Sequence, residues 1–312
     1  MTTLLYTHDA HDAHITPQGH PEQVARLEYI HRHLGDAEFS GLTRKTAPLG
    51  TVEQAQLTHP RSYIDYIKGS IPQTGHANLD GDTHVAPGSL QAALHALGAI
   101  TDAVDQVMDG NAKNAFIAAR PPGHHAEKTT AMGFCLFGTV AIGAKHALLR
   151  DDVDRVAIID FDVHHGNGTE DLVKGDPNIF FASSHQMPLY PGTGQPSFKG
   201  PHNTILNLAF PPNSDGTLMR QTYADRLFPR IRDFKPDLII ISAGFDAHRN
   251  DPLAQLEWEV EDFAWITREI CALADELCQG RIVSSLEGGY DLDALAASAG
   301  AHITELMEAA SK

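Results

Sequence analysis

Arg155-Val156-Ala157-Ile158-Ile159-Asp160-Phe161-Asp162-Val163-His164-His165-Gly166-Asn167-Gly168-Thr169 changes character halfway along. Its first half is an apolar run rich in Val and Ile, the pattern of a strand buried within a parallel sheet. Its second half carries acids and histidines and ends in glycines. Ligands of open α/β sheets bind where strands run out at their carboxyl ends. Alternation along an extended segment sets Asp160, Asp162 and His164 on one face. Carboxylate oxygens and imidazole nitrogens are donors that zinc accepts. A single acid at a strand end commonly caps the next helix. Two acids and two histidines between positions 160 and 165 ask for more, because burying them unpaired is costly. The stretch therefore reads as a metal or catalytic site.

Working outward, the chain repeats a strand, loop, helix order that predicts a parallel sheet covered on both sides. Strands are expected at Ala115–Ala119, Val156–Asp160, Ile179–Ser183, Leu238–Ala243 and Ile282–Leu286, with another near Leu4–Thr7. Helices are expected at Ser89–Asp109, Gly138–Leu149, Gly216–Phe234, Trp258–Leu277 and Leu292–Met307. Four of the strands run into polar or glycine-rich loops: Arg120-Pro121-Pro122-Gly123-His124-His125, Asp162 with His164 and His165, Gly244-Phe245-Asp246, and Glu287-Gly288-Gly289-Tyr290. Loops that converge on one rim are how α/β enzymes assemble a site.

The chain has 312 residues, 42% hydrophobic and 20% charged, which suits one large α/β domain or two small ones. Its 40 acidic residues against 23 Lys plus Arg give a formal net charge of −17. Such a surface argues against nucleic-acid binding, which needs phosphate-neutralising cations. It is compatible with cationic substrates and equally with simple solubility. The three cysteines, Cys135, Cys271 and Cys278, form no disulfide framework. The last two stand two helical turns apart, about 10 Å, too far to bridge. A reducing cytoplasm is the expected compartment. Met1 to His14 is polar and lacks the apolar core of a signal peptide, and no apolar run has the length of a membrane span.

A hydrolytic metal site needs three protein ligands and an open position. Asp162 and His164 supply two, and Asp246 is the third candidate. The set also suits iron or cobalt, so the residues leave the metal open. The reaction further needs a base for water and an acid for the departing amine. The His124-His125 pair fits, stiffened by Pro121-Pro122, with Asp160 and Asn167 as acceptors to fix the imidazole tautomers. Tyr290 can donate its hydroxyl to a developing oxyanion.

Taken together these motifs resemble the zinc-dependent histone deacetylase family, which includes acetylpolyamine amidohydrolases and bacterial histone deacetylase-like amidohydrolases. The resemblance runs from about Pro17 to about Ala297. It rests on Arg120-to-Ala126, Gly133-Phe134-Cys135, Asp160-to-Thr169, Tyr190-to-Gly194, Ala243-to-His248 and Glu287-to-Tyr290, with Gly19-His20-Pro21-Glu22 and Arg26 ahead of them. It implies one arginase-like α/β domain over residues 1–312, built on an eight-stranded parallel sheet flanked by helices. It implies one zinc ion on Asp162, His164 and Asp246, and a potassium ion near Asp160, Asp162, His164 and Ser183. His125 becomes the general base and acid. His124, oriented by Asp160, becomes its electrostatic partner, and Tyr290 polarises the acyl carbonyl. Gly133, Phe134 and Tyr190 become the walls of a narrow acyl-lysine tunnel. Asn167, where part of the family carries Asp, looks like the class II branch, as does Glu287.

The implied activity is hydrolysis of an acyl-lysine amide, or of a related acylated amine, to a free amine and a carboxylate. Leu253 stands where a polyamine-selective relative would place an acid, which favours acyl-lysine over acetylpolyamine. Asp80 and Asp82 resemble a rim loop that grips substrate backbone, without a choice between them. An arginase-type dimetal hydrolase would want more carboxylates. A silent acyl-lysine-binding scaffold would have lost Tyr290 or a His of the pair. His8, His11, His14, His31, His33, His59, His76 and His95 read as surface or structural. No residue pattern points to a nucleic-acid or membrane partner, and the oligomeric state is left open.

Overall fold

A computed structural model describes residues 1–312. Eight strands form one parallel sheet: β1 (Thr3–Thr7), β2 (Thr43–Thr46), β5 (Asn114–Ile117), β6 (Val156–Asp160), β7 (Ile179–Gln186), β8 (Ile205–Phe210), β9 (Leu238–Ala243) and β10 (Ile282–Leu286). Two short strands, β3 (Ala77–Asn78) and β4 (His84–Val85), pair as a separate antiparallel ribbon. The order across the large sheet is β2-β1-β5-β10-β9-β6-β7-β8. The two latest strands thus insert between β5 and β6. The four loops singled out above consequently leave four contiguous strands on the same side.

Both faces of the sheet are buried. On β6, Ala157 and Ile159 enter one core with Ile239 and Ile241 of β9, while Val156 and Ile158 enter the opposite core with Leu238 and Ile240. Helices Val260–Cys278 and Leu292–Ser311 cover the first face; helices Ser89–Met108 and Thr139–Ala147 cover the second. This is why the strands read as continuous apolar runs rather than alternating ones.

Several expectations shift. The strand expected at Ala115–Ala119 lies at Asn114–Ile117, the usual uncertainty at element ends. β2, with sequence Thr-Arg-Lys-Thr, is a mostly exposed edge and carries no apolar signal. β8 was hidden behind the glycine-rich segment before it. The single helix expected over Gly216–Phe234 is divided by a π-helical turn at Tyr223–Leu227. Pro229 follows in the next helix and has no N–H to continue the ordinary ladder. The three cysteines are free and buried. No helix is long and apolar enough to cross a membrane.

His302 shows how completely the interior is closed. Its ring packs against Phe116, Phe161 and Phe245. Its nitrogens meet Thr267 at 2.7 Å and Ser284 at 2.9 Å. Burial lowers its pKa from 6.5 to about 3. The unfolded chain therefore binds a proton below pH 6.5 that the folded chain refuses. Stability should fall as pH drops through this window, with His302 contributing up to about 1.4 kcal/mol per pH unit. Urea unfolding at pH 7 and pH 5 should show a smaller loss in His302→Gln than in the unmodified protein; equal losses would count against this origin.

Candidate active site

The end of β6 and the turn after it carry Asp160, Asp162 and His164. The strand ends at Asp160, and the chain then bends. Asp160 Oδ1 accepts the Asp162 N–H at 3.1 Å, and Asp162 Oδ1 accepts the His164 N–H at 2.9 Å. Phe161 and Val163 continue the alternation of Ala157 and Ile159 into one core. Asp160 and Asp162 both reach His124, and His164 lies against Asp162 and against Asp246 from the end of β9.

Asp162, His164 and Asp246 are buried and bring one donor atom each within 4.8 Å of one another. His164 Nδ1 lies 3.0 Å from Asp162 Oδ1 and 3.2 Å from Asp246 Oδ2. The other oxygens are spoken for: Gly288 N–H donates to Asp162 Oδ2 at 2.8 Å, and Val163 N–H to Asp246 Oδ1 at 2.9 Å. A Cβ on Gly288 would overlap Asp246 Oδ2, so glycine is required for this close approach. Burial disfavours a charged His164, yet the two carboxylates outweigh it and hold its pKa up to about 10. The cluster thus attracts positive charge. Two carboxylates and one imidazole converging on a point suit a divalent ion that takes nitrogen and oxygen ligands.

The His pair sits beside this cluster. His124 Nδ1 contacts Asp160 Oδ2 at 3.1 Å, and its Nε2 lies 3.7 Å from Asp162 Oδ2. His125 Nδ1 contacts Asn167 Oδ1 at 2.7 Å. The two rings then diverge in character. Burial opposes charge on His124, but Asp162 and Asp160 prevail and raise its pKa well above the imidazole range. Burial, followed by the positive charges of His124 and His164, holds His125 well below that range. One is held cationic and its neighbour neutral, the arrangement needed for a charge stabiliser beside a base.

The loop bearing the pair is fixed from β10. Glu287 Oε2 accepts the N–H groups of Gly123 at 2.7 Å and His124 at 3.1 Å, and Ser242 donates to Oε1 at 3.2 Å. Burial raises Glu287 to about 7. Gly133, at φ +54, lies against the His125 ring where a Cβ would overlap it.

A cavity of about 250 Å³ opens onto His125 and His164. Gly133, Phe134, Leu189, Tyr190, Leu253, Tyr290 and Asp82 complete its lining. Phe134 and Tyr290 meet edge to face at 5.9 Å, and Tyr190 meets the His125 ring at 5.2 Å. Tyr290 is buried, which pushes its hydroxyl well above the usual phenol range, so it remains a donor. The site thus gathers the residues singled out in the sequence with one exception. Asp80 does not line the cavity. Its Oδ1 accepts the N–H groups of Asp82 at 3.0 Å and Thr83 at 2.7 Å, which shapes the rim turn and leaves Asp82 facing the opening. Ser183, expected near a second cation, bonds His185 Nδ1 at 3.0 Å.

Other contributors escaped the sequence reading. Glu127 accepts from the Asn167 amide at 2.8 Å. Thr83 Oγ1 accepts the Phe134 N–H at 3.1 Å. Asp251 accepts the N–H groups of Tyr290 at 2.7 Å and Leu253 at 3.0 Å. Each acts through backbone or through a neighbour, and none stands in a chemically suggestive spacing. Among histidines read as surface or structural, His11, His14 and His59 are buried.

The histone deacetylase domain family matches residues 20–306. Histone deacetylase 14, chloroplastic, of Arabidopsis thaliana is 38% identical over 315 residues, covering 95% of this chain and 74% of the relative. A histone deacetylase-like amidohydrolase of Pseudomonas aeruginosa is 33% identical, covering 86% of this chain and 71% of its own. The crystal structure of the HDA15 HD domain superposes with a TM-score of 0.93 at 30% identity, over 99% of this chain and 89% of that one.

Titration of metal-free protein with a divalent ion should show one tight site per chain, accompanied by a rise in Tm. Asp246→Ala should remove the tight site, since it deletes one of the three donors. Undiminished stoichiometry in that variant would rule this cluster out as the binding centre.

Proposed function

Because the chain belongs to the histone deacetylase family, we propose that this hydrolase is a zinc-dependent deacylase. Its substrate is an acylated lysine side chain, and its products are the free amine and a carboxylate. The observation that carries this reading is that three groups each reach one cavity: the Asp-His-Asp cluster through His164, the asymmetric His pair through His125, and the buried phenol of Tyr290.

A zinc ion held by Asp162, His164 and Asp246 would supply Lewis acidity to the acyl oxygen and to the attacking water. The side chains do the rest. His125, neutral and free at Nε2, removes the proton from water and later returns it to the leaving nitrogen. His124, cationic against Asp160, stabilises negative charge as it develops. Tyr290 donates its hydroxyl to the oxygen that gains charge. Phe134, Tyr190, Leu189 and Leu253 enclose the apolar stem of a lysine and keep water away from the amide. Asp82 at the rim is placed to accept backbone N–H groups of a peptide.

Leu253 lines this cavity and offers no carboxylate to a second ammonium, which favours acyl-lysine over acetylpolyamine. A potassium ion near Asp160 and Ser183 and a reducing cytoplasmic setting belong to the same reading; three free, buried cysteines fit the latter.

Turnover of an acetyl-lysine peptide should disappear with chelator and return with zinc. His125→Ala should abolish turnover while bound zinc stays near one per chain. Tyr290→Phe should lower kcat by about 10²- to 10³-fold, as for loss of an oxyanion donor. A panel in which acetylpolyamines are cleaved and acetyl-lysine peptides are not would refute the substrate assignment.

A further inference from the structure

Asn167 is the acceptor for His125, yet an amide is an ambiguous partner. Its oxygen accepts and its nitrogen donates, and the two ends are nearly the same shape. With the oxygen toward His125 Nδ1, the ring carries its proton there and leaves Nε2 free as a base. With the amide reversed, an N–H would point at Nδ1, the ring would carry its proton on Nε2, and the base would be lost. A carboxylate in that place has no such second state. The class of reaction therefore requires something to choose the amide's orientation.

The structure contains a group able to do so. Glu127 Oε1 lies 2.8 Å from Asn167 Nδ2, and Met132 Sδ lies 3.4 Å from the same nitrogen. Both are acceptors, and an ionised carboxylate has no proton to give. Only the amide nitrogen can face them; reversal would bring Oδ1 against a carboxylate oxygen. The oxygen is thereby directed at His125 Nδ1, 2.7 Å away. Glu127 is itself fixed by a tight turn, its N–H donating to Thr130 O at 3.0 Å and its carbonyl accepting the Thr130 N–H at 3.4 Å. Asn167 is held at the start of helix Asn167–Val173 and is 5% exposed.

Building on the assignment of His125 as the base, we propose that Glu127 is a positioning residue that locks the Asn167 amide and, through it, the Nδ1–H tautomer of His125. The negative charge also polarises the amide, strengthening its oxygen as an acceptor. The carboxylate–histidine pair found in part of the family is thus reconstituted at one remove, as Glu127, Asn167, His125.

This relay makes an unusual demand on mutants. In the natural background, Glu127→Ala frees the amide and should lower kcat about tenfold with little change in KM, the scale of losing an outer-shell partner. In Asn167→Asp, the Glu127 carboxylate faces a second acid and becomes a liability. There the same Glu127→Ala change should raise kcat, and the double variant should recover to within about threefold of the natural enzyme, since a carboxylate accepts from Nδ1–H without needing orientation. A group with only a packing role would not reverse sign between backgrounds. A second readout is independent of turnover. Nitrogen-15 NMR of histidine-labelled, zinc-loaded protein, with His125 assigned by its loss in His125→Asn, should show Nδ1–H in the natural protein and a loss of that form in Glu127→Ala. An undiminished Nδ1–H signal in Glu127→Ala, or a double variant no faster than Glu127→Ala, overturns the proposal. Absence of deacylase activity in the natural protein would instead refute the functional reading, and the NMR result would still decide the role of Glu127.

Discussion

Four carboxyl groups, Asp160, Asp162, Asp246 and Glu287, are almost wholly removed from water at the carboxyl ends of neighbouring strands. Burying acids together is among the costliest things a fold can do unless each is matched by donors or cations. The surrounding structure is organised to meet that demand. Gly288, Val163, Gly123 and His124 turn backbone N–H groups toward them, and Ser242 adds a hydroxyl. His124 provides titratable counter-charge. The pKa directions follow from this crowding: burial and Asp162 raise Asp246, while His124 and His164 draw Asp162 down despite its burial. These converging carboxylates could hold a cation, and Asp162 and Asp160 raise His124 against its burial while burial holds His125 low.

A second buried network holds the loops that make those bonds. Glu22 pairs with Arg120 and with Arg26, which lies 3.2 Å from its Oε1, and His14 approaches Oε2 at 3.3 Å. Burial would raise the Glu22 carboxyl, but Arg120 and His14 prevail and keep it well below the ordinary range. Arg26 also donates to the carbonyls of Gly289, at 2.7 Å, and Glu287. Its guanidinium lies 5.0 Å from the Tyr290 ring centre. The Gly19-to-Arg26 segment is therefore a brace between the strand carrying the His pair and the loop carrying Tyr290. Breaking one partner of a buried pair leaves an uncompensated charge and costs about 3–5 kcal/mol, which explains why a segment far from the cavity in sequence is chemically constrained.

How much of this was legible beforehand follows from where each signal resides. The central strands announced themselves as apolar runs, and the reactive residues announced themselves as acids and histidines where such runs stop. Those are local signals. The edge strand at Thr43–Thr46 gave none, because an edge need not be apolar. The rim acids could not be told apart, because what separates them is that Asp80 accepts the backbone N–H groups of Asp82 and Thr83 while Asp82 lines the cavity. The turn after Asp160 keeps the alternation, with Phe161 and Val163 in the core, and adds two side-chain to backbone bonds that no spacing announces. Glu127 was invisible because its partner lies 40 residues away, and a glutamate in a loop has no distinguishing neighbours in sequence.

The cavity walls show the same economy of fixing points. Leu253 and Tyr290 come from different loops, yet Asp251 accepts a backbone N–H from each, at 3.0 Å and 2.7 Å. Burial and the charge of Asp246 raise this carboxyl to about 7. On the opposite wall, Thr83 holds the backbone of Phe134, which sits at φ +69, and His20 meets the Asp82 carbonyl at 3.0 Å while its ring packs on Phe134 at 4.7 Å. The wall side chains are thus set by polar groups one layer behind them, through backbone bonds as well as ring packing. Such bonds hold the backbone and leave the side chain itself free to change. Position 253 can therefore carry another side chain while the bond from Tyr290 N–H to Asp251 stays in place.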